Sequence, residues 1–150
     1  MEKLTGLLLL YLSGFGSAES YFAELDKLFT ERPDDEFLFE LEDCLKDLRG
    51  HWARVSELLE CSSGKDFDIE LFGRKIFGGL EKYFDENVGT GKITLCDFGR
   101  RCYKLWLLFP WNICNDDPFV ILCYADEPLD YGDEKQSMEL YRRAFDYFKE

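Results

Sequence analysis

Residues 115–134 read NDDPFVILCYADEPLDYGDE, and the fold of the apolar middle decides between an all-helical chain and one that holds a sheet. The run Phe119-Val120-Ile121-Leu122-Cys123-Tyr124-Ala125 is apolar at every position, so it shows neither a helical nor a strand period. The pair Asp117-Pro118 reads as an N-cap and first turn, because Pro presets φ and lacks an N–H that a first turn would leave unpaired. That favours a short helix over 118–126. The same residues also read as a buried strand, paired with 110–114 in a short β-hairpin. On either reading the run enters the core. The carboxylates at its two ends then stay near the surface, since burying an unpaired carboxylate is very costly.

These carboxylates belong to a lopsided charge pattern. The chain carries 31 acids against 18 bases, a formal net charge of -13. Between Lys104 and Lys135 there is no base, while Asp116, Asp117, Asp126, Glu127, Asp130, Asp133 and Glu134 are all acidic. A second acidic block covers 18–47, where Lys27, Arg32 and Lys46 are the bases. Residues 92–104 run the other way, with Lys92, Arg100, Arg101 and Lys104 against Asp97. Such a field repels nucleic acid and anionic membranes and draws in basic proteins or cations.

At 150 residues the chain is expected to form one domain over 1–150. It is 46% hydrophobic and long enough to bury a sizeable core without a metal or disulfide staple. Six cysteines (Cys44, Cys61, Cys96, Cys102, Cys114 and Cys123) form no disulfide framework by spacing and read as reduced, mostly buried thiols of a cytoplasmic protein. At the start, LLLLYL over 7–12 followed by Gly16-Ser17-Ala18 faintly resembles a secretory signal. One Lys beside one Glu and a short apolar run favour a core helix instead. No apolar run approaches the ~20 residues of a membrane span.

Elsewhere the apolar period is helical. Leu38, Leu41, Leu45, Leu48, Trp52, Val55 and Leu59 alternate spacings of 3 and 4, which predicts one helix over 35–61 capped by Asp34 or Asp35, with Gly50 as a point of kink or break. The stripe reads as a bundle helix in preference to a coiled-coil seam, because its flanks show no paired charges. Ser17 caps a helix bearing Tyr21, Leu25 and Leu28 that ends before Pro33. A helix from about Asp66 to Asp85 carries Phe72, Ile76, Phe77, Leu80 and Phe84, with Gly73, Gly78 and Gly79 allowing close helix contact. Thr94 and Asp97 open another with Phe98, Cys102, Leu105 and Phe109 inward, stopped by Pro110. A last helix spans about Asp133 to Phe148. The expected fold is a mainly α, single-domain bundle of about six helices, with the hairpin near 110–125 as the variant.

Motifs for chemistry are missing. Gly91-Lys92 resembles the end of a phosphate loop, but Glu86 stands where its first Gly belongs and Ile93 where its hydroxyl belongs. Zinc needs close pairs of thiolates or imidazoles, and there is no CxxC and one His, His51. A calcium loop from Asp126 fails at Pro128 and at Gly132, which falls seventh where the sixth is required. No cofactor is inferred. Asp116/Asp117 and Asp126/Glu127 as ligands for a divalent ion in a metal-dependent hydrolase are the alternative to a non-catalytic chain.

In size, charge and lack of a catalytic motif the chain resembles small acidic immunity proteins, which neutralise bacterial toxins. The resemblance is one of type, with no motif behind it. It implies a carboxylate-rich surface that plugs the positive cleft of a nuclease-type toxin domain and speeds encounter with it. The expected function is a protein-binding module for a basic protein partner. Its expected surface is Trp111, Asp116, Asp117, Asp126, Glu127, Asp130 and Asp133, with Tyr124 and Tyr131 as further aromatic anchors.

Overall fold

The first helix, α1 (Glu2–Leu12), lies between two apolar clusters. Its Leu4 and Leu8 face one cluster and its Leu9 and Leu10 the other, so a leucine run with little amphipathic bias suits a helix covered on both sides. A computed structural model describes residues 1–43, 50, 52–53 and 67–149. Of the described residues 73% are helical, as the mainly α expectation has it, and none is in a strand.

Helix α2 (Ala18–Glu31) turns back on α1 after Gly14, whose φ of 86° is the left-handed value that Gly adopts without strain. With α3 (Glu36–Asp43) it closes the smaller cluster of Leu4, Leu8, Tyr21, Leu25, Leu28, Leu38 and Leu41. Asp35 opens α3 by accepting the Phe37 N–H at 3.0 Å. Leu38 and Leu41 are buried, as the 35–61 stripe predicts. Leu45, Leu48, Val55 and Leu59 lie outside the described residues, as do Cys44, His51 and Cys61.

The larger cluster is built on α4 (Ile69–Asn87) and α5 (Leu95–Leu108). Helix α4 lies along α1, and two of its glycines make close contacts. A Cβ at Gly79 would stand 2.6 Å from the Leu10 Cδ1, and one at Gly73 would overlap the Phe148 ring. Gly78 has open space instead. Each of the helices α2, α4 and α5 begins with a side-chain cap. Ser17 accepts from Ser20 N–H at 3.2 Å, Asp68 from Leu71 N–H at 3.0 Å and Thr94 from Asp97 N–H at 3.1 Å. Such a cap is worth about 1 kcal/mol.

Residues 110–125 form no hairpin. They fold as two single-turn helices, α6 (Trp111–Cys114) and α7 (Ile121–Tyr124), joined by a tight turn. The backbone–backbone bonds here are local: Cys114 N–H to Pro110 C=O, Val120 N–H to Asp116 C=O, and Ala125 N–H to Ile121 C=O. Two prolines eight residues apart remove the N–H donors that a pair of strands would need, and the chain answers with turns. Asp117 does not cap α7, which has no side-chain cap and begins after Val120. These two short helices explain why eight α-helices are described where about six were expected.

A 3-10 turn, η1 (Glu127–Tyr131), then leads into α8 (Glu134–Asp146). Ile121, Leu122 and Ala125 are buried where α7 meets α5 and α8, and Phe119 is buried on Phe72 and Phe77 of α4, so the apolar run does enter the core. Of the four described cysteines Cys102 and Cys114 are buried, Cys123 is half-buried and Cys96 is exposed, all as free thiols. No described helix is long and apolar enough to cross a membrane.

Candidate functional site

Helix α8 divides the acidic stretch. Asp116 and Asp117 follow α6, and Asp117 pairs with Arg143, in the last turn of α8, at 3.4 Å. Asp133 sits at the other end, where its carboxylate accepts the Gln136 N–H at 3.0 Å and caps the helix. Ten residues of α-helix separate Asp133 from Arg143, about 15 Å along the axis. The seven residues singled out from sequence are therefore not one patch. Asp116 and Asp117 lie toward one end of α8, Glu127, Asp130 and Asp133 gather at the other, and Trp111 is on α6.

Asp126 belongs with neither as an open group. It is half-buried against α5, where a Cβ on Gly99 would stand 2.7 Å from its own Cβ. Its neighbours are Cys102 and the Tyr141 hydroxyl, which has no hydrogen-bond partner among the described residues. Burial, with the Asp126 charge adding, holds the Cys102 thiol well above its ordinary range. Burial and the nearby Cys102 and Asp126 do the same to the Tyr141 phenol. Neither group is primed to give up a proton.

The η1 end is held firmly. Asp133 N–H donates to Pro128 C=O at 2.9 Å and Gly132 N–H to Leu129 C=O at 3.0 Å. Gly132 takes the left-handed φ of 74° that turns the chain into α8. Ser137 Oγ donates to Ala125 C=O from within α8, and Pro128 is buried beneath the turn. A groove of about 240 Å³ runs between this turn and α8, lined by Tyr124, Glu127, Pro128, Tyr131, Gln136 and Leu140. Tyr131 is 88% exposed. Among the described residues its ring and that of Tyr124 meet no other ring, unlike the closely packed phenylalanines of the core.

The charge here is uncompensated. Of the seven acids between Lys104 and Lys135, Asp117 alone has an ion pair among the described residues. A second groove, of about 260 Å³ between α4 and α8, is lined by Arg74, Phe77, Gly78, Phe145, Phe148 and Lys149. Its cations are already taken, Arg74 by Glu70 and Lys149 by Glu81 and Asp146. Among the described residues no group of three or more His, Cys, Asp or Glu side chains is placed to hold a metal ion.

Trp111 stands 81% exposed on α6. On α5, Tyr103 and Leu107 are exposed one turn apart, with Tyr103 stacked on Trp106. Trp106 is anchored by its indole N–H to Cys114 C=O at 2.8 Å. The sequence reading missed Gln136 and Leu140 as groove walls, although their placement one turn apart in α8 agrees with the helical period. No protein family, curated protein or solved structure matches this chain.

Proposed function

We propose that the protein is a non-catalytic binding module whose acidic surface engages a basic protein partner, in the cytoplasm, with a nuclease-type toxin domain as the leading kind of partner. One observation carries the reading: exposed Tyr131 stands among Glu127, Asp130 and Asp133, none of which has a basic counterpart among the described residues. Aromatic anchors beside unpaired charge are what a complementary interface uses, the ring for affinity and the charges for speed and register. The chain's net charge of -13 steers cations toward the same face.

The test is capture on the immobilised protein at low and at about 0.5 M salt, where exposed charges are strongly screened, beside a Glu127→Lys/Asp130→Lys variant. The reading expects retained proteins to be basic, to be released by salt and to be lost on the variant. A toxin partner would also be inhibited in its own activity by the wild-type protein. Retention of the same proteins by the folded variant would remove this face from the binding surface.

A further inference from the structure

The molecule already displays, on its own surface, one complete site for a guanidinium group. Arg142 on α8 lies over the rings of Phe84 and Phe145, with its central carbon 5.0 and 5.9 Å from their centroids. The same guanidinium pairs with Glu81 at 3.7 Å and Asp85 at 3.1 Å. Two rings supply the face and two carboxylates supply the charge. Arg101 also lies over a ring, that of Tyr83 at 5.5 Å, and donates to Gly14 C=O at 3.1 Å.

The η1 groove repeats these ingredients without the cation. Tyr124 and Tyr131 provide two rings, Glu127 a carboxylate, and the Gln136 side chain an amide oxygen that can accept a hydrogen bond. Pro128 and Leu140 provide apolar floor for the methylenes of a long side chain. No Lys or Arg of the described residues reaches these groups. The backbone that carries them is fixed by the Gly132 turn, the Asp133 cap and the Ser137 bond, so the site is formed before a ligand arrives.

We infer that this groove takes a single arginine side chain of the partner, its guanidinium against Tyr131 and Glu127 and its methylenes along Pro128 and Leu140. The inference rests on the reading that the acidic face binds a basic protein, and names the group that it reads. Arginine is preferred to lysine because its flat, weakly hydrated guanidinium lies on a ring while it pairs in-plane with a carboxylate. A lysine ammonium is more strongly hydrated and offers no flat face.

The experiment titrates the full chain with blocked tri-arginine, tri-lysine and tri-citrulline peptides and reads backbone amide shifts and affinity. Saturable tri-arginine shifts centred on Tyr131 and Gln136 are expected, with tri-lysine weaker and tri-citrulline silent. Tyr131→Ala and Glu127→Gln should each weaken tri-arginine about two- to fivefold. Glu19→Gln, an equal loss of charge on α2, should change nothing. If Glu19→Gln weakens binding as much as Glu127→Gln does, attraction is general and the groove is overturned, while the basic-partner reading stands. Equal affinity for tri-lysine and tri-arginine, or absence of saturable shifts at the groove, likewise overturns the arginine site. Loss of salt-sensitive capture on the immobilised chain is the separate result that would remove the basic-partner reading itself.

Discussion

The seam between α1 and α4 and the segment from Pro110 to Gly132 are both rich in apolar side chains, yet they are held in different ways. In the seam two long helices lie side by side, Leu10 against Gly79, and leucines at helical spacing fill the space. In the segment, helices of one turn succeed each other and each backbone bond reaches only three or four residues. Helices so short are unstable alone, so their order comes from burying Phe119, Ile121 and Leu122 beneath them. The seam buries Leu9, Leu10, Ile76 and Leu80 completely or nearly so. The segment leaves Trp111 and Tyr131 almost bare. A few core anchors thus let a run of turns present side chains that a long amphipathic helix would have turned inward.

Removing an anchor should collapse that difference. Phe119 touches the rings of Phe72, Phe77, Phe109 and Phe148. Phe119→Ala should cost about 3–5 kcal/mol in urea unfolding. A loss under about 1 kcal/mol would mean that the segment does not depend on its anchor. In the seam, Leu9→Ala should cost about 2–5 kcal/mol by the same measurement, and without disturbing amide shifts in η1. Shifts that spread into Glu127–Tyr131 would show the two regions to be coupled. Asp133→Ala removes the α8 cap and should lower stability by about 1 kcal/mol, with hydrogen exchange in the first turn of α8 rising first. The smallest effect on stability belongs to Glu127→Lys/Asp130→Lys. Both side chains are exposed, so the unfolding free energy should stay within about 0.5 kcal/mol while association with a captured basic partner slows and its salt dependence flattens. A large stability loss in this variant would assign the acids a structural role.

The parts of this fold that the sequence discloses are those with a period or a cap. Ser17, Thr94 and Asp133 announce helix starts because each is a short polar side chain directly before an apolar repeat, and each accepts the bond expected of it. Leu38, Phe72, Phe98 and Tyr141 announce buried faces through 3–4 spacing. The segment after Pro110 has no period, since a single turn is too short to show one, and its apolar run suits helix and strand alike. What ruled out the hairpin was the local turn geometry around two prolines together with packing against α5 and α8. Which acids and aromatics are exposed was legible in the sequence, but not how they are laid out around α8. Uncompensated acids and bare aromatics stand where the composition pointed. The Arg143–Asp117 pair that places two of those acids at the far end of α8 joins residues 26 apart, and no pattern along the chain marks it.

Phe98, fully buried on α5, meets five rings: Phe15 after α1, Tyr83 and Phe84 on α4, and Tyr141 and Phe145 on α8. A phenyl ring sweeps out extra volume as it makes a half-turn, and an interior packed to crystal density holds none in reserve. Its neighbours cannot yield singly, because they belong to separate helices wedged around one point. Rotation of this one ring therefore requires α4, α5 and α8 to part together for an instant. The two edges of Phe98 are then expected to exchange slowly, at a rate that would report how often these three helices part.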